Sequence, residues 1–202
     1  MKPRVLITGF GPFPGQPVNP SATLVRSLRQ FFAREQQRFD LRAVVLKTEY
    51  EGGWQKLQSE LNRFKPDVVV CFGVAAGETG FRLEQQARNH CSTEKPDAAG
   101  YTPASSTINP DGAISHNATL PLNQIQSDLT AARIDCRMSD DAGDYLCNHV
   151  FFNLMARATS EGSPVRAGFI HIPVPDQPDT LSRTKLIKGA RLIIDASLPY
   201  VL

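Results

Sequence analysis

The chain has 202 residues, of which 41% are hydrophobic and 21% charged, a composition that excludes a largely disordered protein and predicts one domain over residues 1–202. Its formal net charge is +2 and no run of five basic residues occurs, so the charge pattern of a nucleic-acid-binding protein is absent. No stretch approaches the roughly 18 apolar residues of a membrane-spanning helix, and Gly and Pro interrupt the N-terminal "MKPRVLITGFGPFPG" before an export signal could form. We therefore expect a cytoplasmic protein with no membrane or nucleic-acid partner.

The first half of the chain alternates short apolar runs with longer amphipathic segments. "RVLITGF" predicts a strand, and the next segment predicts a helix with Asn19 as its N-cap and Pro20 at its first position. A second strand, a second helix and a third, buried strand that ends at Gly73 follow in "LRAVVLKT", "EGGWQKLQSELNRF" and "DVVVCFG".

The second half continues the same alternation. "LNQIQSDLTAARI" predicts a helix, "IDCRMS" a buried strand, the segment from Cys147 a helix, "RAGFIHIP" a strand and residues 180–197 a last helix. The segment 91–117, rich in Ser, Pro, Gly and Asn, is the one long irregular stretch, which is typical of a functional lid or a mobile loop. The pattern predicts the α/β class, with a mostly parallel sheet covered on both faces.

Cys147 lies near the start of its predicted helix, directly after "SDDAGDYL". It shares a helix face with Val150, Phe151 and Leu154, a spacing typical of a buried core residue. The unpaired N–H groups of the first helical turn favour a thiolate there and predict a lowered pKa of the thiol. These observations leave a core cysteine and a nucleophile both open. The other cysteines are scattered at positions 71, 91 and 136, so we expect free thiols rather than disulfides or a structural zinc site.

A cysteine nucleophile needs a base and a group that orients the base. Among the four histidines, His171 ends the apolar strand "AGFIH", and the carboxyl ends of parallel strands are where reacting groups collect in doubly wound sheets. Glu84, in "GFRLEQQARN", can supply the orienting carboxylate, because triads are defined by geometry rather than by chain order. From the residues alone, two alternatives remain: His171 can be a surface or core histidine without a catalytic role, and Glu84 can be a surface glutamate in an ion pair.

The "TGFGPFPG" segment after the first strand has the GxG of a dinucleotide-binding loop. The prolines at positions 12 and 14 argue against that role, because they offer no N–H to a phosphate. Phe10 and Phe13 can form an apolar shelf for a flat neutral group, or can simply pack into the core. Cys147 and His149 do not have the spacing of a structural zinc pair, so we expect no metal.

With these motifs identified, the sequence resembles the pyroglutamyl peptidase I family, cysteine peptidases of family C15. The resemblance rests on "TGFGPF" at 8–13 with "NP" at 19–20, "EQQARN" at 84–89, "SDDAGDYLCNHVFF" at 139–152 and "AGFIHIP" at 167–173. It implies Cys147 as nucleophile, His171 as base and Glu84 as the group that orients it. It also implies a single three-layer α/β/α domain with a twisted mixed sheet, and a homotetramer.

The same resemblance implies removal of N-terminal pyroglutamate (5-oxoproline) from peptides, without a cofactor, in a pocket that includes Phe10, Phe13, Asn19 and Val74. Two positions depart from the common bacterial pattern. Val74 replaces a glutamine, as in animal-type members, and "EKPD" puts Glu94 where the family often has an arginine. A catalytically silent relative that binds a small cyclic ligand is therefore the alternative.

Overall fold

The computed structural model describes residues 2–13, 15, 17–34, 38–160 and 165–199. Within them, five helices and eight short strands form one α/β domain with a mixed, mostly parallel sheet. The strands are β1 Arg4–Phe10, β2 Asp40–Leu46, β3 Val68–Val74, β4 Phe81–Glu84, β5 Gln86–Arg88, β6 Ser115–Asn117, β7 Cys136–Ser139 and β8 Arg166–Ile172. The helices are α1 Pro20–Phe32, α2 Tyr50–Phe64, α3 Leu122–Ala131, α4 Leu146–Ser160 and α5 Arg183–Ser197. No helix in the described ranges is long and apolar enough to cross a membrane.

The main sheet has six strands in the order β2-β1-β3-β8-β4-β7. All neighbouring pairs are parallel except β4 and β8, which are antiparallel, with Arg82 opposite His171. A separate antiparallel ribbon joins β5 to β6. The predicted mostly parallel sheet is thus confirmed, and it is mixed because β4 and β7 run opposite to the other four strands.

Helices cover both faces of the sheet and give the three layers. One apolar cluster joins α1, α3 and α5 to Val5, Ile7, Val70 and Phe72, and the other joins α2 and α4 to Leu6, Phe10, Val69 and Cys71. Successive residues of β1 and β3 thus alternate between two cores, because side chains on a strand point to opposite faces. This explains why both strands are continuous apolar runs.

The predicted helix start at Asn19 is confirmed. Asn19 Oδ1 accepts a hydrogen bond from the Ser21 backbone N–H at 3.0 Å, and Pro20 is the first helical residue. The strand predicted at 134–139 is present as β7, but the prediction that it is buried is wrong. β7 has four residues at the edge of the sheet, and Cys136 is partly exposed there because no further strand covers that edge.

Candidate active site

His171 faces the α2/α4 side of the sheet. Its neighbours Ile170 and Ile172 point into the other core, so the alternation of β8 turns the imidazole, with Phe169, toward α4. The ring is almost fully buried and lies 4.9 Å from the Phe169 ring, centre to centre. Burial lowers the pKa of His171, against the opposing effect of its hydrogen bond with Glu84. The imidazole is therefore neutral at pH 7 and can accept a proton.

Glu84 meets His171 across the antiparallel β4–β8 pair. His171 Nδ1 lies 2.6 Å from Glu84 Oε1, and the carboxylate is fully buried. Glu84 is the last residue of β4 and stands diagonal to His171 in the register, where Arg82 is directly opposite. The spacing of β4 thus brings two of the residues predicted for the triad into direct contact.

Cys147 is the second residue of α4 and lies at the end of β3. A Cβ added to Gly73 would be 2.9 Å from Cys147 Sγ, and Gly73 pairs with His171 in the parallel β3–β8 register. The thiol is therefore held beside the strand position that carries the base. Gly73 provides the space for it, since any side chain there would overlap the sulfur.

The expectation of a lowered thiol pKa at the helix start is wrong. Burial, with a further contribution from the negative charge of Glu84, raises the pKa of Cys147 to about 12. The Arg82 guanidinium and the backbone N–H of Cys147 act in the opposite direction and are outweighed. At rest the pair is thus a neutral thiol and a neutral imidazole.

The turn before α4 is fixed by its own polar residues. Gly143 has φ +83°, its N–H donates to Asp141 Oδ1 at 2.9 Å, and the Asp141 N–H donates to Ser139 Oγ at 3.2 Å. Only glycine adopts that φ without strain, so the "SDDAG" segment sets the direction in which α4 leaves the sheet.

Asn148, which the sequence analysis did not single out, ties α4 to β5. Its amide is fully buried, donates to the carbonyls of Arg88 and His90 at 2.8 Å each and accepts from the Arg88 N–H at 2.9 Å. An asparagine directly after Cys147, at the start of a helix rich in apolar residues, was the available signal. These bonds hold the Cys147 end of the helix in position.

The four residues predicted for the substrate pocket have different environments. Phe10 is buried in the core, 6.3 Å from Phe169 between ring centres, which is the packing alternative that the sequence left open. Asn19 is buried, and its Nδ2 donates to the Gly11 carbonyl at 2.9 Å. Phe13 and Val74 are partly exposed.

The irregular segment at 91–117 packs against the start of α4. Tyr145 Oη donates to the Pro96 carbonyl at 2.8 Å, and Lys95 Nζ lies 2.6 Å from Asp144 Oδ1. Glu94, the second departure from the family pattern, is exposed. The segment is thus held against the residues that directly precede Cys147.

A separate cavity of about 880 Å³ lies beyond the end of β2, lined by Tyr50, Trp54 and Tyr101 among others, and does not include Cys147. Within the described ranges, no group of three His, Cys, Asp or Glu side chains could hold a metal ion. Of the three residues predicted for the triad, His171 and Glu84 are in direct contact, and Cys147 lies beside Gly73, the register partner of His171.

Comparison with known proteins gives one consistent family. A family profile described as pyroglutamyl peptidase matches residues 3–188. The pyrrolidone-carboxylate peptidase of Gloeobacter violaceus is 38% identical over 175 residues, covering 86% of this chain and 83% of its own. That of Bacillus cytotoxicus is 30% identical over 201 residues, covering 96% and 92%.

Solved structures agree with the sequence relatives. A mutant pyrrolidone carboxyl peptidase from Pyrococcus furiosus matches with a TM-score of 0.90 at 26% identity, covering 98% of this chain and 100% of that one. The pyroglutamyl peptidase I from Bacillus amyloliquefaciens matches with a TM-score of 0.89 at 28% identity, covering 98% and 95%. The chain therefore belongs to the pyroglutamyl peptidase family, peptidase family C15.

Proposed function

We propose that the chain is a cysteine peptidase that removes N-terminal pyroglutamate from peptides, with Cys147, His171 and Glu84 as its catalytic triad. The proposal rests on the 2.6 Å contact between His171 Nδ1 and Glu84 Oε1 beside the Cys147 thiol, in a chain of this family. The carboxylate keeps the proton on Nδ1, which leaves Nε2 free to act as the base.

Acylation begins when Cys147 Sγ attacks the carbonyl carbon of the pyroglutamyl residue. Because the thiol is neutral at rest, its proton passes to His171 Nε2 as the carbon–sulfur bond forms. The backbone N–H of Cys147 and its neighbours at the start of α4 stabilise the oxyanion. The carbon–nitrogen bond then breaks, and His171 Nε2 gives its proton to the leaving amine.

Deacylation repeats the same steps with water. His171 Nε2 takes a proton from the water as its oxygen attacks the thioester, and the carbon–sulfur bond breaks with return of the proton to sulfur. Free pyroglutamate leaves and the thiol is restored. The steps use side chains and backbone N–H groups of this chain together with water, and no cofactor or metal is needed.

The substrate pocket is proposed at the loop after β1 and the end of β3. Phe13 and Val74, both partly exposed, provide an apolar wall. The buried side chains of Phe10 and Asn19 support the loop after β1. A flat neutral lactam fits such a wall, because pyroglutamate has no ammonium group that would need a carboxylate partner.

Several broader expectations belong to the same proposal. The sequence and the family resemblance support one catalytic domain over residues 1–202 and a cytoplasmic location. They also support a homotetramer, with peptides as the only partners apart from further copies of the chain. Sedimentation of the purified protein tests the tetramer.

Turnover of a chromogenic pyroglutamyl amide tests the activity. We expect hydrolysis that iodoacetamide abolishes and that a Cys136→Ala variant retains, because Cys136 lies on the edge strand away from the site. Binding of a pyroglutamyl ligand without turnover would instead support the silent relative that Val74 and Glu94 make conceivable.

A further inference from the structure

Arg82 contacts two members of the proposed triad. Its Nε donates to Glu84 Oε1 at 2.6 Å, the same oxygen that lies 2.6 Å from His171 Nδ1. Its Nη2 lies 3.1 Å from His171 Nδ1. The other carboxylate oxygen of Glu84, Oε2, is buried without a hydrogen-bond partner. Glu84 Oε1 therefore contacts both the guanidinium of Arg82 and the imidazole of His171.

The ion pair between Arg82 and Glu84 determines how His171 is hydrogen-bonded. The carboxylate oxygen only accepts, so in its 2.6 Å contact the ring nitrogen His171 Nδ1 is the donor and carries the proton. A protonated Nδ1 has no lone pair for the N–H groups of Arg82 Nη2, so that 3.1 Å contact is not a hydrogen bond. Arg82 therefore acts on the imidazole through Glu84 and through its charge.

Arg82 brings a positive charge directly to Glu84. The carboxylate is fully buried, and its Oε1 lies 2.6 Å from Arg82 Nε, so the guanidinium compensates the buried negative charge. The same contact fixes the oxygen that faces His171 Nδ1.

A second ion pair holds Arg82 in place. Arg82 Nη1 lies 3.1 Å from Glu78 Oε1, and Arg137 on β7 binds both oxygens of Glu78. Charges of alternating sign thus run from the edge strand to the base. Arg82 itself is largely buried, with 17% of its side chain exposed, so solvent screens this contact only weakly.

We propose that Arg82 is a positioning residue of the triad, which holds the Glu84 carboxylate against His171 Nδ1 and brings a positive charge beside the imidazole that acts as base. The inference rests on the proposed function. It assigns a role to a residue outside the three that perform the chemistry, and it makes the charges of Arg82 and Glu78 act on the reaction in opposite directions.

The direction of each effect follows from the groups that face His171, which are Glu84 and Arg82 on β4, Glu78 in the preceding loop and Cys147 on α4. Beside the dominant effect of burial, Arg82 lowers the pKa of His171 and Glu78 raises it. Arg82 also lowers the pKa of Cys147.

The reactive form needs a neutral imidazole and a protonated thiol, so activity rises with pH through the pKa of His171 and falls through that of Cys147. Loss of the Arg82 charge raises both pKa values and moves both limbs of the pH profile to higher pH. Loss of the Glu78 charge lowers the pKa of His171 and moves the acidic limb to lower pH.

The test compares three variants, Arg82→Met, Arg82→Lys and Glu78→Gln, by pH profiles of kcat/KM and by NMR titration of the His171 ring. Arg82→Met should move the acidic limb and the NMR midpoint by about one unit to higher pH, since a neighbouring charge shifts a buried group by this order. Glu78→Gln should move both to lower pH, and Arg82→Lys, which keeps the charge, should leave them near those of the parent. Arg38→Gln, which breaks an exposed ion pair with Asp195, is the control and should change neither.

The proposal would be overturned if the midpoints of both Arg82→Met and Glu78→Gln stay in place or move in the same direction. Removal of opposite charges must move the midpoints in opposite directions, whereas the effect of loosened packing does not depend on the sign of the charge removed. If Arg82→Met does not fold, the shift to lower pH in Glu78→Gln and the unshifted Arg82→Lys decide. The NMR titration needs no substrate, so a parent protein that fails to cleave pyroglutamyl amides would refute the proposed function without deciding the role of Arg82.

Discussion

Gly73→Ala perturbs the site by a single methyl group. The added Cβ would lie 2.9 Å from Cys147 Sγ and 2.7 to 2.8 Å from two atoms of the Phe169 ring. Favourable carbon contacts are about 3.5–4.0 Å, so the sulfur and the ring must each move by roughly half an ångström or more. The ring is itself in contact with His171, so both reacting groups are disturbed.

The magnitudes follow from these overlaps. Overpacking of this kind costs about 1–3 kcal/mol, which lowers Tm by several degrees in a domain of this size. A misplacement of about 1 Å at a reacting group can cost about a hundredfold, so we expect kcat/KM to fall by about ten- to a hundredfold at a temperature where the variant is folded.

Gly168→Ala is the matched control for this prediction. Its Cβ would be 2.7 Å from Leu120 Cδ1, a comparable overlap on the neighbouring strand β8, without any close contact to Cys147. It should lower Tm and leave kcat/KM within about threefold of the parent at a permissive temperature. Parent-like activity in Gly73→Ala, or an equal loss in Gly168→Ala, would refute the placement of the thiol beside β3.

The remaining predictions concern the triad and the pocket. Cys147→Ser should abolish hydrolysis of a pyroglutamyl amide with a parent-like circular dichroism spectrum, because a hydroxyl is a far poorer nucleophile at neutral pH; retained turnover would reject the assignment. Glu84→Gln should lower kcat less than His171→Ala does, and the double variant should be little worse than His171→Ala alone, since the residues act as a unit; additive losses in steady-state kinetics would contradict this. Because burial lowers the pKa of His171, kcat/KM should fall on acidification with a midpoint below about 6.5, and a midpoint at or above that value would count against the buried base. Pyroglutamyl amides should exceed prolyl amides in kcat/KM by at least about a thousandfold, because the charged prolyl amine has no partner at the apolar wall, and Phe13→Ala should raise KM more than it lowers kcat; comparable rates for the two amides would remove the pocket proposal.

The strand–helix alternation and the local signals at its ends were sufficient for most of the fold. Continuous apolar runs predict buried parallel strands such as β1 and β3, and an Asn–Pro pair predicts the start of α1, because these features depend on residues close together in the chain. β4 is different. Four residues long and antiparallel, it is defined by its partners β8 and β7, which lie about fifty or more residues away in sequence, so no local pattern specifies its direction.

The site shows the same division. The position of His171 at the carboxyl end of a strand and of Cys147 at a helix start could be inferred from the sequence, and the family resemblance added Glu84. The raised pKa of the Cys147 thiol could not be inferred, because it depends on burial and on a carboxylate from a distant strand. Together these outweigh the pKa-lowering effect of the helix start. The contact of Arg82 with His171 likewise forms only when β4 and β8 are paired, since the two residues are 89 positions apart in the chain.

Trapping of the acyl-enzyme tests the central claim most directly. Acid quenching during turnover of a pyroglutamyl amide, followed by peptide mass spectrometry, should show one pyroglutamyl group on the peptide that contains Cys147, and none in Cys147→Ser. Turnover by the parent protein with the acyl group on another residue, or with full activity in Cys147→Ser, would contradict the account.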